Sequence, residues 1–298
     1  PDRPTARPPD RPTARLPRQD PPQPSLTEMP SMTTKPVTRS TLAAMKERGE
    51  RIVTLTCYDA SFCRLLEEAG VDVLLVGDSL GMVVQGQETT VPVTLEQMVY
   101  HSACVARVRR RAFQVVDMPF LSYASPEQAL ASAGRLMREG GAQMVKLEGG
   151  AHLVETVKRL TAHGVPVCGH LGLLPQSIHR LGGYRYQGRD QAAALAILED
   201  AVALQEAGAG LLVLECVPAD LAREIVCALR IPVIGIGAGN GCDGQVLVLY
   251  DLLGLNPRGA PRFSKDFLAG RDSLAAAVAA YAAAVRDETF PGPEQTAY

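Results

Sequence analysis

Val73-Leu74-Leu75-Val76-Gly77-Asp78-Ser79 holds four apolar residues in a row and then stops on a carboxylate. An apolar run without polar alternation reads as a strand buried on both faces, as in a parallel sheet. Other segments end in the same way: Phe113 to Asp117, Met144 to Glu148, Val165 to His170, Leu211 to Glu215 and, more weakly, Ile52 to Asp59. Buried strands that each deliver a group able to bind metal or move a proton describe the C-terminal rim of a (β/α)8 TIM barrel. The pattern makes the chain an enzyme candidate before any motif is considered.

Working outward, eight strands are expected: Ile52–Thr56, Val73–Val76, Phe113–Val116, Met144–Leu147, Pro166–Gly169, Leu211–Leu214, Val233–Ile236 and Val246–Leu249. Helical patterns fall between most of them, at 60–69, 95–107, 126–139, 153–163, 191–207 and 219–229. Strand and helix in alternation give a parallel sheet with right-handed crossovers. A short helix over Ser40–Lys46 is placed to cap one end of the barrel. Leu274, Val278, Tyr281 and Val285 recur at helical spacing, a stripe suited to packing on the barrel or on another subunit. Residues 171–188 are rich in Gly and Tyr and read as a lid or substrate loop. Between the last two strands, 237–245 leaves room for one turn at most.

Residues 1–31 contain 10 of the 22 prolines and the repeat PDRPTAR at 1–7 and 9–15. Such a stretch cannot bury enough apolar surface to offset its ordering entropy, so 1–35 is expected to be a disordered leader, with Met29 or Met32 as candidates for a natural start. The remaining 36–292 matches the roughly 250 residues of one barrel, with 293–298 as a flexible tail. A net charge of −2 and a single basic run, Arg107 to Arg111, argue against nucleic acid as partner. That run is expected on a solvated face. No apolar stretch reaches the roughly 18–20 residues of a membrane span. Seven cysteines without a CxxC pair suit a reducing, cytoplasmic setting.

Asp78, Asp117 and Glu148 supply oxygen donors of the kind that suits Mg²⁺, with room for water and substrate. No HxH, HExxH or CxxC pattern supports zinc. The alternative for any one Asp is a cap on the following helix. Lys146 alternates with Glu148, so both point the same way. A buried lysine requires an anion, either Glu148 or a substrate carboxylate. Glu215 and His170 end neighbouring strands and form a candidate acid–base pair, although His170 can equally be a histidine bonded to backbone. Ser79 can donate to a bound carboxylate or cap the next helix. The glycines of Val233 to Asn240 lack the Lys-Ser/Thr of a phosphate loop and read as a close-packed strand exit.

TCYDASF at 56–62, LLVGDSLGMVVQG at 74–86, PVTLEQMVYH at 92–101 and DMPFLSYASPEQAL at 117–130 together resemble the ketopantoate hydroxymethyltransferase family. So do MVKLEGG at 144–150, VPVCGHLGLLPQS at 165–177, GGYRYQGR at 182–189, LLVLECVP at 211–218 and the segment 231–254. The resemblance spans 36–292. It implies a barrel of the phosphoenolpyruvate/pyruvate type that works on 2-oxo acids through Mg²⁺. It further implies Asp78, Asp117 and Glu148 at the metal, Asp78, Ser79, Asp117 and Lys146 at the keto acid, Glu215 as proton acceptor and His170 in support. The implied reaction transfers the one-carbon unit of 5,10-methylenetetrahydrofolate to the Mg-bound enolate of 3-methyl-2-oxobutanoate. Its product is 2-dehydropantoate, in pantothenate synthesis. A homo-oligomer, often a decamer, is implied as well. The rival readings are a Mg²⁺-dependent lyase or aldolase on a related 2-oxo acid, and a non-catalytic barrel.

Overall fold

The computed structural model describes residues 35–256 and 259–296, and in it the eight apolar runs close into a barrel. The strands are β1 (Ile52–Thr56), β2 (Val73–Val76), β3 (Phe113–Asp117), β4 (Met144–Glu148), β5 (Val167–Gly172), β6 (Leu211–Glu215), β7 (Val233–Ile236) and β8 (Gly244–Leu247). Neighbours in the chain are neighbours in the sheet, all parallel, and β8 closes on β1. The leader expected over 1–35 lies outside the described residues except for its last position.

Helices fill the crossovers: α1 (Arg39–Glu47) precedes the barrel, then α2 (Ala60–Glu68), α3 (Leu80–Val83), α4 (Leu95–Ala106), α5 (Pro126–Arg138), α6 (Val154–Ala162), α7 (Ile178–Leu181), α8 (Gln191–Glu206), α9 (Ala219–Ala228), α10 (Leu249–Leu252) and α11 (Leu274–Arg286). Their starts are set by local chemistry. Thr38, Asp59, Thr94, Ser125, Asp190 and Ser273 each turn a side-chain oxygen onto an N–H of the first turn, satisfying donors the helix leaves open. Asp59 is therefore a helix cap and not a site residue. Among the described residues no helix is long and apolar enough to cross a membrane.

The two faces of each strand have different neighbours. Leu74, Val76, Val116, Val145, Leu147, Leu212 and Leu214 point outward into the large core shared with the helices. Val73, Leu75, Phe113, Val115, Met144, Cys168, Leu211, Val213, Ile234, Ile236 and Val246 fill the interior, and Val37, Leu42 and Met45 of the α1 region plug its lower end. Lys46 of α1 ties that plug down through an ion pair with Asp243 at 2.7 Å. The inward residues of three strands run Phe113-Val115-Asp117, Met144-Lys146-Glu148 and Leu211-Val213-Glu215. With a side-chain period of two, each strand is apolar inside the barrel and polar where it emerges. The α11 stripe packs on this same chain: Tyr281 is buried, its hydroxyl 3.0 Å from Thr54 O and 2.9 Å from Gln245 O.

Several boundaries differ from the sequence reading. β8 spans Gly244–Leu247 in place of 246–249, because Ile52 pairs with Gly244. A Cβ at Gly244 would lie 2.3 Å from Ile52 O, so only glycine fits that register. β5 starts one residue late, since Pro166 offers Val145 its carbonyl but has no N–H to return. It also runs on to Gly172, whose φ of +89° and contact with Glu215 O again require glycine. β3, β4 and β6 each include their terminal acid, because Asp117, Glu148 and Glu215 remain in register with the next strand. The Arg107–Arg111 run is not simply solvated: Arg111 pairs with buried Asp72 at 2.6 Å, and its N–H donates to Glu67. At the end of the chain, Pro293–Gln295 forms one 3-10 turn.

Candidate active site

Asp78, Asp117, Lys146, Glu148, His170 and Glu215 all line one cavity of about 560 Å³ at the C-terminal ends of the strands, with Ser79 beside them. Asp78, Asp117, Lys146, Glu148 and His170 are buried, and Glu215 is only slightly exposed. All seven candidates from the sequence are brought together.

Their pairings are more specific than the sequence suggested. Asp117 and Lys146 are register partners on β3 and β4, and Lys146 Nζ donates to Asp117 Oδ1 at 2.7 Å. Lys146 is thus held by Asp117 and not by Glu148. Asp117 Oδ2 accepts the Asp78 backbone N–H at 3.1 Å, so this carboxylate braces two strand ends. His170 stands between two acids: Nδ1 is 3.4 Å from Glu148 Oε1 and Nε2 is 3.2 Å from Glu215 Oε2. Neither ring nitrogen meets the alignment of a full hydrogen bond, so these contacts are ion pairs. Ser79 Oγ lies 2.9 Å from the Tyr58 hydroxyl and makes no helix cap, which disposes of the capping alternative.

Three residues were invisible in the sequence reading. Gln176, from the loop after β5, is buried and joins three parts of the site. Its Nε2 donates to Asp78 Oδ2 (2.8 Å) and Met118 O (2.9 Å), and its backbone N–H donates to Glu148 Oε2 (2.9 Å). Tyr123 donates its hydroxyl to Gln176 Oε1 at 2.5 Å. Tyr58, just beyond β1, fixes Ser79. No local pattern announces these roles, although LGLLPQS was already marked as a loop on the catalytic face.

Burial is the largest influence on Asp78, Lys146, Glu148 and His170. It drives the Asp78 carboxyl well above the usual range, and the adjacent carboxylates Asp117 and Glu148 drive it further. Burial pushes Lys146 down, but Asp117, Glu148 and Asp78 outweigh it and the ammonium is held charged. Glu148 is raised by burial, yet its contact with His170 leaves it below the ordinary value. Burial and Lys146 lower His170, while Glu148 and Glu215 raise it, to about 9. The ring is therefore an imidazolium at neutral pH, with a carboxylate at each edge.

Four carboxyl groups crowd one buried space beside a single ammonium and a single imidazolium, and oxygen donors of this kind fit a hard dication. Among the described residues no three His, Cys, Asp or Glu side chains already converge as a ready ligand set; Lys146 and Gln176 hold the carboxylates instead. Mg²⁺ tolerates this, because it keeps several waters and takes one or two carboxylates. Asp78 and Asp117, linked by the Asp78 backbone N–H on Asp117 Oδ2, are the candidate pair.

Residues 36–293 match the family described as ketopantoate hydroxymethyltransferase. The 3-methyl-2-oxobutanoate hydroxymethyltransferase of Nitrosococcus oceani is 60% identical over 255 residues, covering 86% of this chain and 97% of that one. Its counterpart in Thiobacillus denitrificans is 61% identical over 260 residues, covering 87% and 98%. Among solved structures, phosphoenolpyruvate phosphomutase from Streptomyces platensis subsp. rosaceus superposes with a TM-score of 0.55 at 14% identity, over 72% of this chain and 82% of that one. The last likeness concerns the fold alone and agrees with the closed parallel barrel. A closed parallel barrel, one rim carrying every expected side chain and relatives matched over nearly their full length lead to one conclusion: the chain belongs to the ketopantoate hydroxymethyltransferase family of transferases.

Proposed function

We propose that the protein transfers the one-carbon unit of 5,10-methylenetetrahydrofolate to 3-methyl-2-oxobutanoate, giving 2-dehydropantoate. The observation that carries this reading is the gathering of Asp78, Asp117, Lys146, Glu148, His170 and Glu215 on one rim in a chain about 60% identical to enzymes of that name.

Asp78 and Asp117 would hold Mg²⁺, with Glu148 beside them. Mg²⁺ bound there would supply Lewis-acid polarisation of the 2-oxo group. Lys146, charged and facing the cavity, attracts the substrate carboxylate, and Ser79 Oγ, steadied by Tyr58, offers it a hydrogen bond. Glu215 accepts the proton from C3. The electron pair of that C–H bond forms the new bond to the methylene carbon, which also gains a hydroxyl from water as both of its bonds to folate nitrogen break. The two nitrogens take up the proton from Glu215 and the remaining proton of the water. His170 Nε2 holds Glu215 in place during this step, and its positive charge steadies the buried carboxylates on either side. Tyr58, Tyr123 and Gln176 lock the rotamers of the groups that touch substrate.

The seven cysteines are all unpaired, which supports a reducing, cytoplasmic setting. We also read the protein as self-associating, without nucleic-acid or membrane partners. The rival lyase or aldolase reading is not favoured by the relatives. The test is keto-acid-dependent loss of methylenetetrahydrofolate, with and without EDTA. Turnover that needs Mg²⁺ and folate supports the proposal. Turnover without folate would favour the lyase, and activity indifferent to chelation would sink the metal assignment.

A further inference from the structure

The stretch 92–101, one of those that carry the family resemblance, supplies no group to the chemistry above, yet its last residue reaches towards the site. His101 of α4 places Nδ1 2.8 Å from Tyr58 O, 43 residues away in the chain. A carbonyl oxygen can only accept, so Nδ1 carries a proton and the imidazole is the donor.

The bond falls where the backbone has least support. The parallel ladder ends at Cys57, whose N–H donates to Leu75 O at 2.9 Å. Regular bonding resumes at Asp59, which caps α2 by accepting the Phe62 N–H at 2.8 Å. Tyr58 lies between the two and is buried, so its carbonyl needs a partner from elsewhere in the fold.

α4 is a firm place from which to supply that partner. Thr94 and Gln97 close its start as a capping box, and Met98, Ser102 and Val105 form its buried face. Ser102 Oγ donates to Gly140 O at 2.7 Å, and Gln114 Nε2 of β3 donates to Ser102 O at 3.0 Å. His101 stands beside Ser102, with the Tyr100 ring edge-on at 5.3 Å. The far end of Tyr58 is the part that matters to the site. Its hydroxyl lies 2.9 Å from Ser79 Oγ, and its ring meets Tyr250 of α10 with centroids 6.0 Å apart. A shift of the Tyr58 backbone therefore moves the hydroxyl on which Ser79 depends.

We propose that His101 is a positioning residue for the substrate carboxylate, acting through Tyr58 on Ser79. The proposal rests on the reading above in which Ser79 bonds the 2-oxo acid. Glu215 emerges from β6, across the barrel from β2 and Ser79. His101 should therefore govern how tightly the acid is held and not how fast its proton leaves.

The test is the affinity for 3-methyl-2-oxobutanoate, by calorimetry on the full chain in Mg²⁺ at one pH. The rate of C3–H exchange in D₂O at saturating acid is measured beside it. His101→Asn keeps a donor at the position of Nδ1, whereas His101→Gln is equally polar but carries its donor at the position of Nε2. A neutral hydrogen bond contributes about threefold to tenfold to an equilibrium. His101→Gln and His101→Ala should weaken binding by about that factor and leave saturated exchange within twofold of wild type. His101→Asn should bind within twofold of wild type. In a Tyr58→Phe background His101→Gln should add less than twofold, because the hydroxyl it aims is gone. His163→Ala removes an equal 2.8 Å contact, from Nδ1 to Arg159 O at the exposed end of α6, and should leave the affinity unchanged.

Asn and Gln variants that behave alike overturn the proposal, as does a Gln effect that persists in full beside Tyr58→Phe. Slower exchange with unchanged affinity overturns it too. If His101→Ala does not fold, the Asn and Gln pair decides. Wild type that binds the acid but never transfers a one-carbon unit sinks the reaction, while the same affinities still judge His101. Wild type that binds no 2-oxo acid sinks both.

Discussion

Replacing Gln176 by alanine should damage both stability and activity, and the structure says by how much. Three side-chain contacts vanish: the bonds from Nε2 to Asp78 Oδ2 (2.8 Å) and Met118 O (2.9 Å), and the Tyr123 hydroxyl bond to Oε1 (2.5 Å). The backbone bond to Glu148 Oε2 survives. A bond to a carboxylate contributes about 1.5–3 kcal/mol and a neutral one about 1 kcal/mol, and a water entering the vacated space recovers part. The net loss is about 2–4 kcal/mol, which in a domain of this size lowers Tm by roughly 5–15 °C. Because Asp78 alone among the acids loses its partner, kcat/KM should fall about tenfold to a hundredfold, at tenfold per 1.4 kcal/mol. Differential scanning calorimetry and steady-state kinetics measure the two effects. Gln176→Glu keeps the size but sets a second acid against Asp78, so it should do at least as much harm at neutral pH and recover in part as the pH falls. If Gln176→Ala keeps both Tm within 2 °C and kcat/KM within twofold, the bridging role assigned to this residue is wrong.

Three further outcomes are expected. Glu215→Gln should lower kcat by about a hundredfold to ten-thousandfold and leave the KM for the keto acid within threefold; full activity in steady-state assays clears Glu215 of the proton transfer. Lys146→Met leaves the Asp117 carboxylate buried without its cation, which costs about 3–5 kcal/mol. Urea denaturation should show that loss, with partial recovery in the Lys146→Met/Asp117→Asn pair, and a single variant as stable as wild type contradicts the pairing. In EDTA-treated protein, His170 holds its proton to about 9, above its ordinary 6.5. Stability from a raised pKa is complete below the unfolded value and fades as pH climbs through the folded one. The Tm advantage of wild type over His170→Gln should therefore shrink between about pH 6.5 and 9.5, and a flat difference would refute the double ion pair.

What the sequence showed plainly was whatever depends on one strand at a time. A buried parallel strand must be apolar on both faces, so Val73 to Val76 and its counterparts stood out, and each emerging acid followed directly. Contacts that depend on two distant segments were not legible. Lys146 meets Asp117 through the register of β3 and β4, which no spacing along either strand reveals. Gln176 lies 98 residues from Asp78 in the chain and sits in a segment with no period of its own. β8 was read two residues late because Gly244 and Gln245 are not apolar. Glycine is needed there for the approach of Ile52, while the Gln245 side chain turns to bond Gly239 O. The Arg107–Arg111 run looked like an ordinary solvated turn because buried Asp72, which Arg111 pairs, comes from the loop before β2.

The central claim is that Glu215 removes the C3 proton of a keto acid held over a cation by Asp78 and Asp117. Proton NMR in D₂O measures it directly, by following exchange of the C3 hydrogen of 3-methyl-2-oxobutanoate without folate. Wild type in Mg²⁺ should exchange that hydrogen with solvent, and both EDTA and Glu215→Gln should reduce exchange to the uncatalysed rate. Exchange that persists at the wild-type rate in EDTA or in Glu215→Gln would contradict the account.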